Sequence, residues 1–156
     1  MKRILYSALS GFLLAMTLQL THSTVSIEEN VQPYYNQFIK IANECEVNVN
    51  ESELRIEIEH NKDSKYYAIT YHMLNLIVIN DRNFSKLSSI KQEQVIFHEL
   101  GHAMLSLHHE DTDLNLMNTS GFIDRKTYVE YYDYFIRKLF KNCKKPLVEK
   151  FEHGSN

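Results

Sequence analysis

The chain has 156 residues, of which 44% are hydrophobic and 24% are charged, and its formal net charge is −3. This length and apolar content suffice for one domain with a hydrophobic core and are too small for two. The mildly acidic balance offers no electrostatic footprint for nucleic acid, so nucleic-acid binding is excluded as a class of function.

Residues 1–23 have the composition of a secretory signal peptide. Lys2 and Arg3 supply a positive start, residues 4–20 are mostly apolar, and Thr21-His22-Ser23 offers small residues near a cleavage site. A retained membrane anchor is the alternative, since the apolar run approaches the roughly 20 residues that span a bilayer. We expect removal of the segment, and hence an exported protein, periplasmic or secreted, with no stable membrane insertion. Loss of Lys2 and Arg3 changes the net charge from −3 to −5.

One helix and three strands are predicted next. Residues 28–45 carry apolar side chains at helical spacing, with Pro33 in the first turn, and predict a backing helix. Residues 54–60 alternate apolar and polar side chains, which indicates a half-buried strand. Residues 66–72 and 74–80 predict two further strands, and the second is the more buried because it is rich in Leu, Ile and Val.

A helix predicted to begin at Ser89, where Gln92 completes a capping box, contains the pattern H-E-x-x-H. His98 and His102 are four residues apart, so they lie on one helix face about one turn from each other and can bind one ion. With a third ligand this is the geometry of a catalytic zinc site, which keeps a fourth position for water. Glu99 is turned away from ligation and is placed to act as general base on that water.

The residues that follow resemble the metzincin clan of zinc peptidases. The clan's pattern is H-E-x-x-H-x-x-G-x-x-H followed by a Met-turn, and the resemblance makes His108 the third ligand and places Met117 in the turn beneath the metal. The Gly of that pattern falls on Leu105. The Gly normally ends the helix in a left-handed conformation with φ > 0, which a Leu adopts only at an energetic cost.

A second register moves the turn to Ser106 and makes His109 the third ligand. The chain resembles, over most of its mature length, small secreted bacterial metallopeptidases of matrixin-like type. The parallels are the run Val95-Ile96-Phe97 into His98-Glu99-Leu100-Gly101-His102, the strand over residues 75–81, the turn Leu116-Met117-Asn118 and the aromatic residues 131–135. In that group the third His comes at the later spacing, so we favour His109 over His108.

The resemblance implies a small α+β zincin domain over residues 24–150. Its mixed, mostly antiparallel-edged sheet is accompanied by the backing helix, the active-site helix and a C-terminal helix. An edge strand beside the cleft, either 66–71 or 74–79, is expected to bind extended substrate by β-augmentation. Some metzincins carry a Tyr two residues past the Met of the turn, and Thr119 occupies that place here.

The C-terminal part supplies the last two expectations of structure. Residues 125–141 predict a strongly aromatic amphipathic helix, and residues 151–156 predict a flexible tail. Cys45 and Cys143 are an even pair in a chain expected to be exported, which favours a disulfide. A loop of this size, once closed, would stabilise the fold by roughly 4 kcal/mol.

These features predict an exported, monomeric, zinc-dependent metalloendopeptidase that acts on protein or peptide substrates. Zn²⁺ is expected on His98, His102 and either His109 or His108, with Glu99 as general base. Two alternatives stay open. One is a gluzincin-type peptidase whose third ligand is Glu130, and the other is a catalytically weak, peptidase-like zinc-binding module that binds a partner.

Overall fold

The computed structural model describes residues 26–51, 53–112, 114–119, 121–141 and 143. The expected signal peptide (1–23) and flexible tail (151–156) lie outside the described residues. No helix in the described part of the chain has both the length and the apolar character needed to cross a membrane.

Four strands form one mixed sheet, and the α+β class expected from the sequence is confirmed. The strands are β1 (Ser26–Ile27), β2 (Arg55–Glu59), β3 (Ala68–Tyr71) and β4 (Leu76–Asn80). Their order is β1-β2-β4-β3, with β1, β2 and β4 parallel and β3 antiparallel to β4. Of the two strands considered as the edge beside the cleft, β4 is therefore central and β3 is the edge.

Five helices accompany the sheet in the described residues: α1 (Gln32–Glu44), α2 (Asp81–Phe84), α3 (Ser89–Leu105), α4 (Arg125–Glu130) and α5 (Tyr132–Leu139). Pro33 lies in the first turn of α1, as its fixed φ favours. The single helix predicted over residues 125–141 is wrong in one respect. At Tyr131 the backbone leaves helical geometry, with φ −110° and ψ 24°, and separates α4 from α5.

The capping box predicted at the start of α3 is also wrong. The N-cap is Ser88, and the Gln92 side chain turns away from the helix end. Its Nε2 donates to the Phe84 carbonyl at 3.1 Å, and its Oε1 accepts from the Tyr34 hydroxyl at 2.8 Å. Contacts with α1 and α2 thus replace the local cap.

The core joins α1, α3 and the residues after α5. The Phe38 ring of α1 meets the Phe97 ring of α3 edge-on at 5.5 Å between centroids, and the Phe140 ring at 4.7 Å. Nearby, Cys45 at the end of α1 is bonded to Cys143 in a disulfide that spans 98 positions. In the chain-entropy account, a crosslink of that span stabilises the folded protein by about 4.7 kcal/mol, because it lowers the entropy of the unfolded chain.

A buried acid on α3 is hydrogen-bonded by two tyrosine hydroxyls. Glu93 is 2% exposed and accepts a hydrogen bond from the Tyr128 hydroxyl at 2.9 Å. The Tyr132 hydroxyl also hydrogen-bonds Glu93 and accepts from Gln37 Nε2 at 2.9 Å. Burial raises the pKa of Glu93 to about 7, although the two tyrosine hydroxyls oppose the shift.

This acid makes stability depend on pH in a defined direction. Because burial raises the pKa of Glu93 from 4.5 to about 7 on folding, its stabilising contribution is full below about pH 4.5 and is lost as pH rises to about 7. Between about pH 4.5 and pH 7, the stabilisation lost is about 3 kcal/mol of unfolding free energy. We predict that the free energy of unfolding of Glu93→Gln rises relative to that of the parent as pH increases across this interval, as measured by urea unfolding in EDTA. A constant difference between the two proteins from pH 4.5 to pH 7.5 would contradict it.

Candidate metal centre

Three imidazoles converge at one end of α3. Among the described residues, His98, His102 and His109 form a group whose ligand atoms all lie within 4.8 Å of one another, close enough to hold a metal ion. The Nε2 atoms are 3.1 Å apart for His98 and His102, 3.1 Å for His98 and His109, and 3.0 Å for His102 and His109. Two nitrogens bound at 2.0–2.1 Å to a tetrahedral ion stand roughly 3.3 Å apart. The spacing is therefore that of three ligands on one ion.

The end of α3 decides which histidine joins the other two. The helix includes Leu105, and Ser106 takes the left-handed conformation with φ 53° and ψ 34°. Leu107 N then donates to the Gly101 carbonyl at 3.0 Å, which reverses the chain and brings His109 back to the helix face. His108 is exposed and lines the same cleft without belonging to the converging group.

Backbone carbonyls fix how two of the imidazoles are protonated. His98 Nδ1 lies 2.7 Å from the Leu116 carbonyl, and His102 Nδ1 lies 2.7 Å from the Leu107 carbonyl. A carbonyl only accepts, so each Nδ1 carries the hydrogen and each neutral ring presents a lone pair on Nε2. Burial lowers the pKa of both rings and favours this neutral form. Lone pairs 3.1 Å apart repel, and a cation between them removes the repulsion.

The loop that carries His109 is closed on itself and tied to α5. Glu110 N donates to the Met117 carbonyl at 3.0 Å, and the Glu110 carboxylate accepts from Asn115 Nδ2. Lys138 Nζ of α5 stands 4.0 Å from that carboxylate. These contacts hold His109 in place although it lies outside regular secondary structure.

Met117 lies directly against the helix turn between the two helical ligands. It is 2% exposed, and its backbone N donates to Asn115 Oδ1 at 3.0 Å. A Cβ added to Gly101 would stand 2.7 Å from Met117 Sδ and 3.2 Å from Leu139 Cδ1. A larger residue at position 101 would force the buried Met117 side chain to move, so Gly101 allows Met117 to pack this closely against the helix. Leu139 also places α5 beneath the centre.

Glu99 lies beside the histidines and is held by a residue of the edge strand. It is 8% exposed, and Thr70 Oγ1 of β3 donates to its Oε2 at 2.6 Å. Burial raises the pKa of Glu99, whereas the Thr70 hydrogen bond and the neighbouring His102 and His109 act to lower it. The sequence pattern of residues 66–72 does not single out Thr70, because its role arises only from the packing of β3 on α3.

A cleft of about 630 Å³ opens over the histidines. Residues 65–70 and His72 of the β3 side form one wall, and His108, His109, Asn115, Leu116, Asn118, Thr119, Gly121 and Phe122 form the other. The floor comes from α3: Gln94, Val95, His98, Glu99 and His102. The buried Gln94 amide fixes the second wall, because it donates to the Ile123 carbonyl at 3.0 Å and accepts from Ile123 N at 2.9 Å.

Three other residues from the sequence analysis occupy different places. Glu130, the alternative third ligand, is exposed on α4 and is not in the converging group. Thr119 lines the cleft. His72, which the sequence pattern leaves outside the motif, also lines the cleft, and its ring meets that of His102 edge-on at 5.8 Å between centroids.

Comparison of the chain with known protein families, with curated proteins and with solved structures gives no match. The donor atoms and their surroundings therefore carry the assignment of function. Three imidazole nitrogens form a donor set that suits zinc and other borderline divalent ions better than Ca²⁺ or Mg²⁺.

The affinity for zinc should distinguish the roles of the adjacent residues His108 and His109. We predict that the protein binds one equivalent of Zn²⁺ and that His109→Ala weakens this affinity by at least about 100-fold, since loss of a direct ligand exceeds the effect of losing an outer partner. The control His108→Ala should stay within about threefold of the parent. Competition with a chromophoric chelator measures both. The assignment fails if His108→Ala shows the larger loss.

Proposed function

We propose that the protein is a zinc-dependent endopeptidase whose ion is held by His98, His102 and His109. The observation that carries the proposal is the convergence of three Nε2 atoms at 3.0–3.1 Å, with the buried Glu99 carboxylate beside them in an open cleft. Three protein ligands with one open position distinguish catalytic zinc sites from structural sites, which are closed by four.

Each residue of the centre has a separate task in peptide hydrolysis. Zinc, when bound, supplies a Lewis acid for the scissile carbonyl and a water that ionises near neutral pH. Glu99 accepts the proton of the attacking water and passes it to the leaving amine, so one carboxylate serves as base and then as acid. Thr70 occupies Glu99 Oε2, which leaves Oε1 for the transferred proton.

The open edge of β3 supports a polypeptide as substrate. Edge strands are commonly protected from pairing by charges or Pro, yet residues 66–80 contain no Asp, Glu, Lys, Arg or Pro. A peptide that pairs with this edge passes Thr70 and therefore reaches Glu99. Main-chain hydrogen bonds then hold the substrate irrespective of its sequence, which suits an endopeptidase.

The disulfide supports an exported protein. Bonds such as Cys45–Cys143 form and persist in oxidising compartments and are rare in a reducing cytosol. We therefore propose periplasmic or secreted localisation, in agreement with the signal-like composition of residues 1–23.

Removal of the base should separate metal binding from catalysis. Glu99→Gln is predicted to keep one equivalent of zinc and to lower kcat for peptide hydrolysis by about 10²–10⁴-fold, the usual contribution of general base catalysis. The matched control is Glu130→Gln, which removes an exposed acid and should leave zinc content and kcat unchanged. Full activity in Glu99→Gln, or loss of zinc in Glu130→Gln, would refute the proposed roles.

Loss of the Thr70 hydroxyl should act through Glu99. A hydrogen bond to a charged group contributes about 1.5–3 kcal/mol, so Thr70→Val is predicted to lower kcat by roughly 10–100-fold with KM little changed. Thr70→Ser should restore kcat, and Thr119→Val, which alters another threonine of the cleft, should not lower it. In the Glu99→Gln background, Thr70→Val should have no further effect. Additive losses would show that Thr70 acts independently of Glu99.

A further inference from the structure

Exposed apolar side chains are concentrated on one short segment. Among the described residues, the exposed large hydrophobic side chains are Tyr66, Tyr67, Tyr71, Met73, Leu74, Leu114, Tyr131 and Tyr134. Five of these eight belong to β3 and its two ends. Met73 is 99% exposed, Leu74 58% and Tyr71 45%. These three residues lie at the end of β3 and in the turn that follows it, and we name them the apolar tip.

The hairpin does not need apolar residues at this turn. The turn is a 3-10 helix over His72–Leu74, and it is closed by Asn75 in the left-handed conformation. Asn75 N donates to the His72 carbonyl at 3.3 Å, so backbone contacts define the turn. A polar side chain in place of Met73 would satisfy the same backbone with almost no loss of buried area, because Met73 is 99% exposed. A cluster of exposed apolar residues, in contrast, is typical of a binding surface.

The apolar tip adjoins the cleft at one end, although its three side chains are not part of the cleft wall. His72, in the middle of the tip, lines the cleft and contacts the His102 ring edge-on. Thr70, which binds Glu99, is three positions before Met73, and because the chain between them enters the 3-10 turn they lie closer than the roughly 10 Å that three extended residues span. A peptide paired with β3, with its reacting bond beside Glu99, therefore brings residues about two to four positions from that bond to the tip.

We propose that the apolar tip is a docking surface for the substrate, and that the cleaved sequences carry bulky uncharged side chains a few positions from the scissile bond. This inference rests on the proposed function, because it takes the β3 edge as the path of the peptide. Residues 66–80 contain no Asp, Glu, Lys or Arg, so this edge offers no carboxylate, ammonium or guanidinium group to pair with a charged flank. Folded proteins bury such extended apolar segments, so the accessible substrates are unfolded polypeptides and extended peptides.

Peptide binding without cleavage provides the test. The probe is a fluorescein-labelled decapeptide with Leu and Phe on both sides of its central residues. A second decapeptide carries Ser and Glu at those positions instead. Binding of each peptide to the full chain is measured by fluorescence anisotropy in EDTA. The parent should bind the apolar peptide at least about tenfold more tightly. Met73→Ser/Leu74→Ser should remove most of that preference, and its melting temperature should be unchanged because both side chains are exposed. The control Tyr131→Ser removes a similarly exposed apolar residue and should keep the preference.

The outcomes separate the docking surface from the peptidase. Tip-dependent binding together with no hydrolysis by the zinc-loaded protein would support the docking surface and refute the peptidase. If the parent and Met73→Ser/Leu74→Ser preferred the apolar peptide over the polar one to the same degree, the docking surface would be overturned. It would also be overturned if the tip variant instead abolished self-association in sedimentation, or binding to uncharged phosphatidylcholine vesicles, with peptide binding unaffected.

Discussion

Two hydrogen bonds from imidazoles to backbone carbonyls hold the centre together. His98 Nδ1 reaches Leu116 and His102 Nδ1 reaches Leu107, each at 2.7 Å. Both carbonyls belong to the loop that carries His109, so the two helical ligands and the third are parts of one hydrogen-bonded unit. The same contacts fix the tautomers that leave Nε2 free to bind an ion. Loss of either contact would disturb both the position and the protonation of a ligand.

The helix α3 buries two glutamates six positions apart and gives them different surroundings. Glu93 is enclosed with tyrosine hydroxyls, and its pKa is raised to about 7 by burial. Glu99 is also buried, at 8% exposure, but it lines the cleft and accepts a hydrogen bond from the Thr70 hydroxyl. The first carboxyl therefore links α1, α3, α4 and α5 as a structural group. The second lines the cleft, and its partner Thr70 lies on the strand where we propose that the substrate binds.

Features set by local periodicity could be predicted from the sequence. The pairing of His98 with His102 follows from the helical repeat, and β2, β3 and β4 follow from alternating or apolar runs. The two-residue strand β1 was not predicted, because it is too short to show such a run. The choice between His108 and His109 depends on one residue of helix length, and the cost of a left-handed Leu105 already favoured the later turn. The disulfide partners followed from having only two cysteines.

Features set by tertiary packing could not be predicted. Gln92 left its expected capping role because Tyr34 and Phe84 offered partners from other elements. Thr70 carries no pattern that marks it, since its contact with Glu99 joins residues 29 positions apart. The strand order, which makes β3 the edge, likewise depends on long-range pairing of β2 with β4.

The central claim is that His98, His102 and His109 bind one zinc ion. It is tested most directly by diffraction data collected on both sides of the zinc absorption edge from crystals of the zinc-loaded protein. We predict a single anomalous peak at about 2.0–2.1 Å from the three Nε2 atoms, with a fourth, non-protein ligand. A peak bound by His108 or Glu130 in place of His109, or the absence of any peak between the three imidazoles, would contradict the account.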